Sequence, residues 1–97
     1  MILFRPGAAR ELAAAVGYYD EQYPERGQRF ARSVESTLDL IAAVPLAFAL
    51  LYAPDIRSAK VRRFPYRVVY VVVGDDIDVV AVAHAKRSPG YWRDRQD

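Results

Sequence analysis

Residues 66–84 constrain the fold more than any other part of the chain. The run "YRVVYVVV" at 66–73 is dense in β-branched and aromatic side chains, too short and too branched to favour a helix. "GDD" at 74–76 carries tight-turn chemistry, so this run and "IDVVAVAH" at 77–84 form a β-hairpin. The second strand is almost continuously apolar, as expected of a central strand covered on one face and partly on the other.

The N-terminal half supplies the cover. From Ala8 to Tyr23, apolar residues recur at Ala9, Leu12, Ala13, Val16 and Tyr19, which predicts a helix with one buried stripe. Pro24 stops it, and "PER" opens a second helix that runs to about Val44. Phe30, Val34, Leu38 and Ile41 line its apolar face, and Pro45 ends it. So short a connection implies an antiparallel helix hairpin. "ILFR" at 2–5 is a short β-like run ended by Pro6-Gly7, "LAFALLYAPD" at 46–55 reads as a loop over the core, and 56–63 reads as a third long strand. The order β-α-α-β-β-β predicts an α+β fold: an antiparallel β-sheet with an α-helix hairpin packed on one face. At 97 residues the whole chain, 1–97, reads as a single domain.

The absence of cysteine excludes disulfides, cysteine nucleophiles and thiolate metal sites. "MILFRPGAARELAAA" has no basic region ahead of its apolar residues, and Glu11 interrupts the alanine-rich stretch, so it is not a secretory signal. No apolar run approaches the roughly 18–20 residues of a membrane span. These features predict a soluble, cytoplasmic protein without a membrane partner. The net charge of +2 hides an asymmetry: residues 1–44 carry five arginines against six acids, whereas 45–97 carry nine basic residues against six acids. Arg57, Lys60, Arg62, Arg63 and Arg67 fall within eleven positions that contain no acid. Such a field attracts phosphates or acidic protein segments, or it is simply a solvated sheet face.

Arg62 and Arg63 are adjacent, so alternation along a strand allows at most one of them into any single site. Arg67 lies inside an apolar strand, facing an anionic partner or held by an acid such as Asp78. His84, the one histidine, ends an apolar strand and reads as a hydrogen-bonded structural residue rather than a base; without cysteine nearby it does not indicate zinc. The hairpin turn accounts for Asp75 and Asp76, so those acids with Asp78 are not taken as a metal site, and no metal or cofactor is expected. Tyr19 and Tyr23, at helical spacing, fit packing at the hairpin corner better than base stacking. Trp92 either packs back on the sheet or anchors a partner.

Four stretches, "ELAAAVGYYDEQYPE", "RFARSVESTLDLIAAVP", "IRSAKVRRFPYRVVYVV" and "IDVVAVAHAKRSPGYWRDR", follow one another in an order and at separations that resemble the RelE/ParE toxins of bacterial type II toxin–antitoxin systems. The "FPY…Y" strand followed by "H..R.P.YW" is similar to the ParE-like branch, often called plasmid stabilisation proteins. The resemblance implies a fold like the one derived above. It also implies a cognate, ParD-like antitoxin whose C-terminal segment wraps the toxin in a hetero-oligomer. Two targets occur among such toxins: ParE-like members poison DNA gyrase, and RelE-like members cut mRNA on the ribosome.

For an mRNA endoribonuclease the resemblance places Lys60 at one strand lysine, Arg67 at the central-strand arginine and Arg87 at the arginine after the last strand. Ser58 stands where a second lysine is expected, and Tyr91 lies near the terminal tyrosine, with Pro89-Gly90 shortening its approach. Cations of this kind stabilise phosphorane-like charge without a metal. The target-binding candidates are therefore Arg57, Lys60, Arg63, Arg67, Arg87, Tyr91 and Trp92. Antitoxin-binding candidates are Tyr19, Tyr23, Leu46, Phe48, Leu50, Leu51 and Tyr52, because the 46–52 stretch is more apolar than a short surface loop needs. The reading favoured is a ParE-like toxin that inhibits growth by binding its target. The alternatives are a RelE-like ribosome-dependent nuclease and a small basic nucleic-acid-binding module.

Overall fold

The computed structural model describes residues 1–95. In chain order it contains β1 (Ile2–Phe4), α1 (Pro6–Gln22), α2 (Arg26–Ala43), β2 (Leu50–Tyr52), β3 (Ile56–Lys60), β4 (Tyr66–Val73) and β5 (Asp76–His84). The five strands form one sheet in the order β1-β5-β4-β3-β2, with the two helices as a hairpin on one face. This is the α+β architecture read from the sequence. Two edge strands extend it: β1 pairs with β5 in parallel, which makes the sheet mixed, and β2 adds a fifth strand where a loop was expected. β2 forms because the outer edge of β3 leaves backbone groups that need partners, and Leu50–Tyr52 supplies them.

The helix hairpin closes through backbone that few residues accept. Pro24 follows α1, and Glu25 takes left-handed φ of 71° before α2 begins. Gly27 donates its N–H to Asp20 at 3.0 Å. A Cβ on Gly27 would stand 2.5 Å from the Val16 carbonyl oxygen, so the crossing of the two helices requires glycine. On α2 the predicted face holds: Phe30, Val34 and Ile41 are buried and Leu38 packs against them. On α1 the buried stripe is rotated by about one residue, to Ala8, Ala15 and Tyr19 with Leu12 and Val16, while Ala9 and Ala13 face solvent. An alanine-rich helix leaves its own phase underdetermined, and here the sheet decides it.

Between hairpin and sheet lies the main core, with Val68, Tyr70, Ile77, Val79 and Val82 from the strands. Tyr19, Phe30, Phe64 and Tyr66 form an aromatic cluster at one end, with ring centroids 4.9–6.2 Å apart. Each fully buried large side chain in this core contributes about 1.5–3 kcal/mol. A bulge reverses the facing of β5. Val69 opposes Ala81 and Tyr70 opposes Val79, so Val80 is the extra residue. Before the bulge Ile77 and Val79 face the helices; after it Val82 does, while Val80, Ala81 and Ala83 face the other side. The near-continuous apolar run of β5 thus covers both faces. On that second face the C-terminal segment folds back, burying Trp92 against Val69, Val80 and Ala81.

Candidate functional site

The face of the sheet opposite the helices carries a small cavity of about 170 Å³, lined by Arg67, His84, Arg87, Tyr91 and Trp92 among others. Register explains the gathering. Arg67 pairs across the ladder with Lys60 on β3 and with Ala83 on β5, so three neighbouring strands meet beside it. Directly after β5, the turn at 85–90 returns Arg87 and Tyr91 to the same face. Gly90 makes this possible: its φ is +74°, and a Cβ there would meet Arg93 Cδ at 3.0 Å and Tyr52 Oη at 3.1 Å.

Among the described residues, Lys60, Arg67 and Arg87 of this face form no ion pair. Arg67 Nε donates to Ser58 Oγ at 3.0 Å, and among the described residues no acid pairs with it. Asp78, offered from the sequence as its partner, sits opposite Val71 at the far end of the hairpin and binds Arg5 at 2.9 Å instead. Lys60 Nζ reaches its neighbour's carbonyl, Val61 O, at 3.4 Å, and the Arg87 guanidinium lies 3.8 Å from the centre of the Tyr91 ring. Lys60, Arg67 and Arg87 thus present an anion-attracting surface.

The tyrosine of this group is committed elsewhere. Tyr91 donates its hydroxyl hydrogen to Glu11 Oε2, an α1 carboxylate that also accepts from Arg95 at 2.8 Å and from the backbone N–H of Val82 at 3.0 Å. β1 ends opposite Val79, and Glu11 satisfies the strand edge left open beyond it. Burial, reinforced by the hydrogen bond to the Glu11 carboxylate, pushes the Tyr91 hydroxyl up to about 12. His84 accepts the Lys86 N–H on Nδ1 at 3.0 Å and packs edge-on against Tyr66, in keeping with a structural histidine. Sequence reasoning missed Glu11. Its signal was a carboxylate three residues after Ala8 and four before Ala15, on the flank of the buried face.

The other candidates separate. Arg57 lies on the helix side, where it donates to the Phe48 carbonyl at 2.6 Å beside Tyr70, so it does not join Arg67. Arg63 is not on a strand: β3 ends at Lys60, and Arg63 takes φ of 71° in the turn before Phe64-Pro65. With strand alternation gone, Arg62 and Arg63 line one groove together, which corrects the expectation that only one could. Trp92 is 4% exposed and packs on the sheet, so it offers no surface to a target. Tyr19 is likewise core, whereas Tyr23 is exposed at the hairpin corner. In the apolar stretch Leu46, Leu50 and Leu51 are exposed, as are Leu40 and Val44 of α2 and its cap, and Leu51 lines the strand-face cavity. Phe48 packs against Tyr70, and Tyr52 stacks edge-on against Trp92.

A helix hairpin packed on one face of a small mixed sheet is the fold that this chain shares with solved chains of the RelE/ParE class. The family described as "ParE toxin of type II toxin-antitoxin system, parDE" matches residues 2–89, and the chain belongs to that family. Among solved structures it is similar to a chain of the chromosomal ParDE toxin–antitoxin system of P. aeruginosa, with a TM-score of 0.75 at 18% identity over 88% of this chain and 95% of that one. It is similar also to the isolated E. coli RelE toxin, with a TM-score of 0.63 at 25% identity over 96% of this chain and 92% of that one. No curated protein matches its sequence. Among the described residues no helix is long and apolar enough to cross a membrane.

Proposed function

We propose that this toxin acts in the cytoplasm by binding an essential target of the DNA gyrase type through its cationic strand face, without cleaving RNA. The observation that carries this reading is the commitment of Tyr91 to Glu11. Lys60, Arg67 and Arg87 supply charge for gripping an anionic or acidic surface. General acid–base cleavage needs a group that exchanges protons near neutral pH. Tyr91, with its hydroxyl proton held to about 12, does not offer one. Ser58, the position where a second strand lysine would stand, is 5% exposed and bonded to Arg67. The cognate antitoxin, in this account, covers the exposed leucines 46, 50 and 51 together with Leu40.

The test uses purified toxin with gyrase and supercoiled DNA, and separately with programmed ribosomes. The expected result is gyrase-dependent DNA breakage that Arg67→Ala and Arg87→Ala each reduce by at least tenfold, with ribosome-bound mRNA left intact. Codon-dependent cleavage of that mRNA, lost in the same variants, establishes the nuclease reading instead.

A further inference from the structure

A second, wider groove lies away from the strand face. It runs between the first turns of α2 and the β3–β4 turn, encloses about 840 Å³, and is lined by Tyr23, Arg26, Arg29, Arg32, Arg62 and Arg63, with Ser33, Ser36, Pro24 and Phe64 completing it. Five guanidinium groups line it and no carboxylate does. Arg26 lies 5.2 Å from the Tyr19 ring centre and 6.0 Å from that of Tyr23. Arg29, Arg32, Arg62 and Arg63 form no ion pair or side-chain hydrogen bond among the described residues. Unpaired like charges gathered into one concavity repel one another and focus a positive field there.

We propose that this groove binds a single strand of nucleic acid by its phosphates. Arg26, Arg29 and Arg32 form one bank at three-residue intervals, spanning about 9 Å along α2. Arg62 and Arg63 form the facing bank, and the exposed left-handed backbone at Arg63 holds that residue in the turn rather than on a strand. Guanidinium forks bind phosphate oxygens bidentately, and the Ser33 and Ser36 hydroxyls add neutral donors. Tyr23, 64% exposed, supplies a ring on which a base stacks.

An acidic protein segment fits less well. Protein interfaces are anchored by apolar or aromatic residues at their centre and carry charge at the rim. This groove departs from that pattern, since Phe64 is buried and five arginines make up half of the lining residues. Exposed leucines that would suit a protein lie elsewhere: Leu40 is about 21 Å along α2 from Arg26. The site is also separate from the strand face, so its fate does not depend on the gyrase-type reading.

The experiment is fluorescence anisotropy of the full chain with labelled DNA and RNA single strands of about 20 nucleotides, the matching duplexes, and a polyglutamate peptide, titrated from about 50 to 200 mM salt. The wild type is expected to prefer single strands to duplex and to polyglutamate at equal charge. Arg29→Gln/Arg32→Gln/Arg63→Gln is expected to weaken single-strand binding more than tenfold and to flatten the salt slope by about 2, at roughly 0.7 per lost phosphate contact. Tyr23→Ala is expected to weaken binding severalfold with the slope unchanged. Circular dichroism and thermal melting of each variant show that it is folded. The proposal is overturned if the triple variant keeps the wild-type slope, if Arg67→Gln/Arg87→Gln on the opposite face reproduces the whole loss, or if duplex or polyglutamate binds more tightly than the single strand.

Discussion

Glu11 does three jobs with one carboxylate: it closes the open edge of β5 at Val82, holds the Tyr91 hydroxyl and pairs with Arg95. Tyr91→Phe removes one hydrogen bond to a charged acceptor and is expected to destabilise the fold by about 1.5–3 kcal/mol at neutral pH. The folded state holds the hydroxyl proton to about 12 against an ordinary value of 10.0, so the stabilisation is complete below pH 10. It is then lost as pH rises from 10 towards 12. Urea denaturation across that window should therefore show a steeper fall in stability for the wild type than for Tyr91→Phe; equal slopes would mean that Tyr91 is not so held. Two glycines give a second comparison. Gly27→Ala drives a methyl against the Val16 carbonyl and is expected to cost about 1–3 kcal/mol. Gly17→Ala, with open space around it in the exposed middle of α1, is expected to stabilise by roughly 0.5–1 kcal/mol in the same denaturation measurement.

At the scale of elements, α2 is divided along its length, with arginines in its first two turns and exposed Leu40 near its end. Leu50→Glu/Leu51→Glu is expected to leave the thermal midpoint within a few degrees, because both side chains are exposed on a three-residue edge strand. The same pair is expected to weaken antitoxin binding at least tenfold by calorimetry; unchanged affinity would move the antitoxin off this surface. The elements legible in the sequence are those specified by local pattern. β4 is found at its predicted limits because eight branched and aromatic residues in a row admit little else, and α2 shows its stripe because Phe30, Val34 and Ile41 are large. What escaped depends on distant neighbours. β2 exists because β3 had an unpaired edge, the β5 bulge because two faces needed covering, and the shared groove of Arg62 and Arg63 because Phe64-Pro65 ended β3 early. The site was legible in part. Arg67 and Arg87 line one cavity, the first by its place on β4 and the second by the turn after β5, whereas the removal of Arg57 to the helix side and the capture of Tyr91 by Glu11 arise only when the sheet is assembled.

The molecule as a whole keeps two cationic surfaces apart: the strand face around Arg67 and Arg87, and the α2 groove on the helix side. Exposed leucines stand at 40, 46, 50 and 51, with Leu51 on the rim of the strand-face cavity, and a toxin of this family implies a cognate antitoxin. The mode of action is the central question. The most direct measurement is induction of the toxin without antitoxin, with mRNA 5′ ends mapped and an SOS reporter followed in the same cells over the first minutes. A toxin that grips its target with Arg67 and Arg87, its Tyr91 hydroxyl held by Glu11, should raise the SOS signal and cause filamentation while mRNA ends stay unchanged, and Arg67→Ala should silence that signal. Rapid codon-dependent mRNA cleavage without SOS induction would contradict the account.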